Sequence, residues 1–110
     1  MKIVFPALLS LPIGALAGSA QWCHIVNSDV EVNCRAGPHL NSRVVRTLSP
    51  GENLYFGCYK RGDCYKDNCT WDHQINPGGK GDCYVNGYFT DNHCTMGNTT
   101  YSLCSCLSYC

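Results

Sequence analysis

Apolar residues in this chain recur in short runs broken by turn-forming residues, and after the first twenty positions none repeats at helical three- and four-residue spacing for ten residues. The runs are rich in β-branched and aromatic side chains, the mark of strands. A first strand is expected over Asp29 to Arg35, closed by Ala36-Gly37-Pro38. A second covers Arg43 to Leu48. Ser49-Pro50-Gly51-Glu52 then puts proline and glycine where a tight reversal needs them, so a third strand, Asn53 to Tyr59, should complete an antiparallel hairpin. Lys60 to Asn68 is polar, holds two cysteines and reads as an inserted loop pinned by bridges. Thr70 to Ile75 returns to strand character around Trp71, Asn76 to Gly81 is turn, and Asp82 to Phe89 supplies a last strand and a short helical turn. Val45 and Val85 are expected core residues. The pattern predicts an all-β fold with no long helix and no internal repeat.

The first twenty residues read differently. Lys2 gives a positive start, Ile3 to Ala17 are mostly apolar, and small residues follow, so residues 1–20 are expected to be an export signal cleaved after Ala17 or Ala20. The apolar stretch is shorter than the ~20 residues of a spanning helix and is interrupted by Pro6 and Pro12, so no membrane insertion is expected. What remains is a secreted, extracellular chain long enough for one domain: a barrel over 21–90 and a cysteine-rich tail over 91–110. Without Lys2 it carries seven basic and eight acidic side chains, a net charge of −1. That balance favours neither nucleic acid nor an anionic membrane as partner, and a monomer is expected.

All ten cysteines lie beyond the signal: Cys23, Cys34, Cys58, Cys64, Cys69, Cys83, Cys94, Cys104, Cys106 and Cys110. An even number in a short exported chain implies five bridges. Metal ligation by Cys104 and Cys106 with His24, His39, His73 or His93 is the alternative, but no paired CxxC units are present, so no metal and no cofactor is expected. Bridges matter here because so small a core barely offsets the entropy of ordering the chain, whereas each bridge adds ~2–4 kcal/mol. Two glycosylation sequons occur, at Asn68 and Asn98, with Asn98 the preferred one because Cys69 inside the first must also form its bridge.

Val32-Asn33-Cys34-Arg35-Ala36-Gly37-Pro38, then Ser42 to Leu48, then Pro50-Gly51, resembles the opening of bacterial-type Src homology 3 domains. Trp71-Asp72 and Gly81-Asp82-Cys83-Tyr84-Val85-Asn86-Gly87-Tyr88-Phe89 resemble the tryptophan strand and closing segment of the version found in small secreted fungal cysteine-rich proteins and on fungal muramidases. The match covers about Asp29 to Phe89. It implies a small Src-homology-3-like β-barrel that binds cell-wall material, chitin or peptidoglycan. The cysteine-rich loop from Cys58 to Cys69 and the tail after Asp91 depart from that pattern. Within such a barrel the third and last strands should lie close, which suggests a Cys58–Cys83 bridge. Arg35, just before a turn, is expected to pin it by donating to loop carbonyls.

A sugar-binding site needs flat aromatic faces for the apolar side of a pyranose, with amides and carboxylates for its hydroxyls. Trp71, Tyr84 and Tyr88 come from segments that a small barrel brings together, and Asp72, Asn86 and Asp91 are near them in sequence. Tyr59 and Tyr65, on the inserted loop, are further exposed candidates. The competing role for Trp71 and at least one tyrosine is as core. Arg61-Gly62-Asp63 resembles the adhesion tripeptide of disintegrins, but three residues carry little information. No catalysis is expected: a cysteine nucleophile would need a free thiolate, Ser102, Ser105 and Ser108 lack a nucleophile-elbow pattern, and Glu31 and Glu52 fall on a strand and in a turn. The sequence therefore points to a secreted, non-enzymatic binder of cell-wall polysaccharide; the alternative is a secreted effector, toxin or antimicrobial protein using the barrel as scaffold.

Overall fold

The structure, a computed structural model, describes residues 20–75, 81–91, 94 and 107–110. The expected export signal up to position 19, the Asn98 sequon, His93, Cys104 and Cys106 lie outside the described residues. The fold is an all-β half-barrel. Its strands are β1 (Gln21–His24), β2 (Val32–Arg35), β3 (Val44–Leu48), β4 (Asn53–Tyr65), β5 (Asn68–Gln74), β6 (Cys83–Asn86) and β7 (Ser108–Tyr109), with a 3-10 turn at Gly87–Phe89. The spatial order is β1-β4-β5-β6-β2-β3, each neighbouring pair antiparallel, with β7 added in parallel to β4. Among the described residues no helix is long and apolar enough to cross a membrane.

Alternation sets the faces. On β2, Val32 and Cys34 are buried while Asn33 between them is exposed. They join Ile25, Leu48, Phe56, Val85 and Leu107 in a core that also takes both halves of the Cys23–Cys94 and Cys34–Cys83 bridges. Val45, expected in the core with Val85, packs against its edge. Two further bridges, Cys58–Cys110 and Cys64–Cys69, lie outside this cluster, and the described cysteines include no free thiol. Four bridges among the described residues mark a protein that folds in an oxidising compartment.

Several sequence expectations need correction. Cys83 pairs with Cys34 across β6 and β2, and Cys58 with Cys110, so the suggested Cys58–Cys83 bridge is absent. The reason is topological: β5 lies between β4 and β6, separating the two cysteines by a strand. The Ser49–Glu52 turn forms as expected, with Glu52 N–H donating to Ser49 O at 3.0 Å and Gly51 at φ 81°. However, it does not close a hairpin, because β3 pairs with β2 while β4 sits between β1 and β5. The turn instead carries the chain from one sheet edge toward the other and is tied there by Ile25, through Ile25 N–H to Glu52 O and Gly51 N–H to Ile25 O.

The expected loop from Lys60 to Asn68 is mostly strand. β4 continues to Tyr65 and returns as β5 through Lys66 and Asp67, both at positive φ (48° and 66°), the two-residue geometry that matches sheet twist. Register shifts between Arg61 and Tyr65 bend this hairpin over the Pro38 turn, where Asp63 N–H donates to Pro38 O at 3.0 Å. Only glycine fits at position 62, since a Cβ there would lie 1.9 Å from that same carbonyl oxygen. Cys64–Cys69 staples the hairpin one step behind its tip.

Candidate functional site

The stapled tip overhangs a cleft of about 360 Å3. Trp71 on β5 forms its floor, 2 % exposed and outside the main core cluster, its Nε1–H donating to Asp63 O at 2.8 Å. Tyr65, Tyr88 and Phe89 form an aromatic wall. Tyr65 stacks on Phe89 at 5.4 Å and 27°, and Tyr88 meets Tyr65 at 5.6 Å and Phe89 at 5.0 Å edge-on. The Lys66 ammonium stands 5.9 Å from the Tyr65 ring and 5.7 Å from the Tyr88 ring. The loop after β1 supplies more of the lining, including Val30, which is 70 % exposed, and Glu31, whose Oε2 accepts from Ser49 Oγ at 2.9 Å. Asn27 at φ 61° holds that loop against the wall, its Nδ2 donating to Tyr88 O at 2.8 Å. Arg35 also faces the cleft while its Nη1 donates to Ser42 O at 3.0 Å, the turn-pinning role expected of it.

Four of the sequence candidates, Tyr65, Trp71, Asn86 and Tyr88, line this cleft. Strand register explains the division. Trp71 and His73 share one face of β5 with their cross-strand partners Asn86 and Tyr84, whereas Asp72 and its partners Tyr59 and Val85 face the other way. Tyr84 stands one pair further along the sheet, stacked on His73 at 4.9 Å with the Lys60 ammonium 5.5 Å from its ring. It does not reach the cleft. Tyr59 meets Tyr109 edge-on at 5.2 Å, against β7. Trp71, Tyr84 and Tyr88 therefore do not share one open groove.

Polar candidates are committed internally. The Asn86 amide donates to Asn68 O and accepts from Tyr88 N–H, which caps the 3-10 turn. Asp72 is fully buried and accepts from Thr90 Oγ1 at 2.6 Å, while its Oδ1 has no partner among the described residues. Burial pushes its pKa up to about 8, opposed by the Thr90 hydrogen bond. Asp91 accepts from His24 N–H at 2.9 Å. Asn68 Oδ1 accepts from both the hydroxyl and the N–H of Thr70.

The Arg61-Gly62-Asp63 tripeptide is part of β4 and not a free loop. Its aspartate staples the Pro38 turn: the Leu40 N–H donates to Oδ2 at 2.9 Å and His39 Nδ1 lies 3.3 Å from Oδ1, contacts that hold the carboxyl below its usual pKa. Sequence reasoning did not find Lys66, Phe89 or Val30. The signal for Lys66 was present in the symmetric run Cys64-Tyr65-Lys66-Asp67-Asn68-Cys69, which fits a two-residue turn with a bridge behind it. Val30 and Phe89 come from segments that only the tertiary fold brings beside that turn. Compared with known families the chain matches no family model, and compared with curated proteins it matches no relative.

Proposed function

We propose that this is an exported, non-enzymatic protein that binds cell-wall polysaccharide of chitin or peptidoglycan type in the cleft beside the stapled hairpin. The observation that carries this reading is the wall of Tyr65, Tyr88 and Phe89 lining a cleft large enough for sugar units, with Lys66, Glu31 and Asn33 on the same lining. Ring faces take the apolar side of a pyranose, and the charged and amide groups take its hydroxyls. A cross-braced tip holds two of these groups in place before a ligand arrives, which lowers the entropic cost of binding. The bridges support export, and the resemblance of about Asp29 to Phe89 to cell-wall-binding Src homology 3 domains supports the ligand class.

Incubated with insoluble chitin and with peptidoglycan, the purified protein should sediment with at least one of them. Tyr65→Ala and Tyr88→Ala should each weaken retention by about tenfold, ~1.4 kcal/mol, with an unchanged circular dichroism spectrum. Retention on neither polymer, or undiminished retention of both variants, would overturn the reading. A second reading, an effector or toxin whose barrel is only a scaffold, is favoured by one feature. Trp22, 61 % exposed, sits 5.3 Å from Tyr55 on the β1 side of the sheet, away from the cleft. An exposed aromatic pair suits a protein target, and under that reading Trp22→Ala would abolish activity while the cleft variants kept it.

A further inference from the structure

We propose that Cys58–Cys110 is a thiol-exchange site, at which a low-molecular-weight thiol attacks Cys110 and displaces Cys58 as a thiolate received by His73. The bridges differ sharply in access. Both cysteines of Cys23–Cys94 and of Cys34–Cys83 are completely buried, so an external sulfur cannot reach them without unfolding. Cys110 is exposed and Cys58 half-buried behind it. Cys64–Cys69 is also accessible, but it closes a short hairpin whose two thiols recapture each other, and among the described residues no imidazole joins it as His73 joins Cys58 and Cys110.

His73 Nδ1 lies 3.8 Å from Cys58 Sγ, and both sulfurs and a ring nitrogen of His73 fall within 4.8 Å of one another. Its other nitrogen, Nε2, faces Asp82 Oδ2 at 3.3 Å. The ring is held by stacking on Tyr84, with the Lys60 ammonium beyond that tyrosine. With Nε2 turned to the Asp82 carboxylate, Nδ1 is the nitrogen that faces the Cys58 sulfur and is placed to pass a proton to the sulfur that must leave. In the exchange, the incoming thiolate forms a bond to Cys110 Sγ. The Cys58–Cys110 bond breaks, and its electron pair departs on Cys58 Sγ. His73 Nδ1 takes the proton given up by the external thiol and passes it to the Cys58 thiolate, so the protons balance. One disulfide replaces another, so no oxidant or reductant is consumed. The product is a mixed disulfide on Cys110, beside the short β7 strand that the bridge had locked to β4.

Folded full-length protein treated with glutathione at fixed pH, quenched with acid, alkylated and mapped by mass spectrometry will test this. Expected first is a product with glutathione on Cys110 and the alkyl group on Cys58, the other described bridges remaining intact. His73→Gln should slow its appearance by about tenfold without altering the circular dichroism spectrum. Asp82→Asn, a change at a half-exposed side chain, should slow it by a smaller factor and serves if His73→Gln does not fold. Earlier opening of Cys64–Cys69 or of a core bridge in the unmodified protein would overturn the proposal. So would wild-type exchange rates in the folded variants.

Discussion

Replacing Trp71 with alanine should lower the unfolding free energy by about 3–5 kcal/mol, measured by urea denaturation with the bridges intact. The indole is almost wholly covered, and truncation opens a void beneath the cleft where β4, β5 and the 3-10 turn converge. It also strips Asp63 O of the N–H that satisfies it at the bend of β4. Trp71→Phe separates the two contributions: it restores much of the volume yet still leaves that carbonyl unpaired, so it should cost about 1–3 kcal/mol. A Trp71→Ala variant that loses glycan retention would thus be reporting a weakened scaffold, whereas Tyr65 and Tyr88 report contact. A loss below about 1 kcal/mol for Trp71→Ala would show that the ring is not the structural floor described above.

Stability should fall as pH rises from about 4 to about 8, and Asp72→Asn should flatten that slope. With the folded-state pKa raised to about 8 from 3.8, the folded protein keeps the Asp72 proton through this window while the unfolded chain releases it. The unfolded state binds fewer protons there, so each pH unit removes up to ~1.4 kcal/mol, and the effect levels off above the folded pKa. Asparagine cannot ionise, its carbonyl still accepts from Thr90, and its amide adds donors on the face where Gln74 Oε1 also lacks a partner among the described residues. Thermal unfolding of both proteins at several values between pH 4.5 and 8 checks this. A wild-type melting temperature that climbs across that range, or a variant with the same slope as wild type, contradicts it.

β-Branched and aromatic runs between turn residues revealed most strands: Val32 and Cys34, Val45 and Leu48, Cys83 and Val85 lie on strands expected from that pattern. That signal failed where burial does not choose the residues. The outer half of β4, Lys60 to Tyr65, is polar on both sides and is held by its ladder to β5, the Pro38 contact and a bridge. β1 escaped notice because its four residues directly follow the presumed cleavage site. Site residues were legible as types and not as a set. Trp71, Asn86 and Tyr88 do meet, but which ring reaches the cleft depends on cross-strand register, and register moved Tyr84 one pair away and turned Asp72 inward.

The most direct measurement is a nuclear magnetic resonance titration of the isotopically labelled protein with soluble chitin oligomers and with peptidoglycan fragments. Shifts should concentrate on the Tyr65, Tyr88 and Phe89 rings, the Lys66 amide and the Trp71 indole N–H. A spectrum unmoved by either glycan, or one whose changes gather at Trp22 and Tyr55, would mean that the pocket under the hairpin is not where this protein meets its ligand.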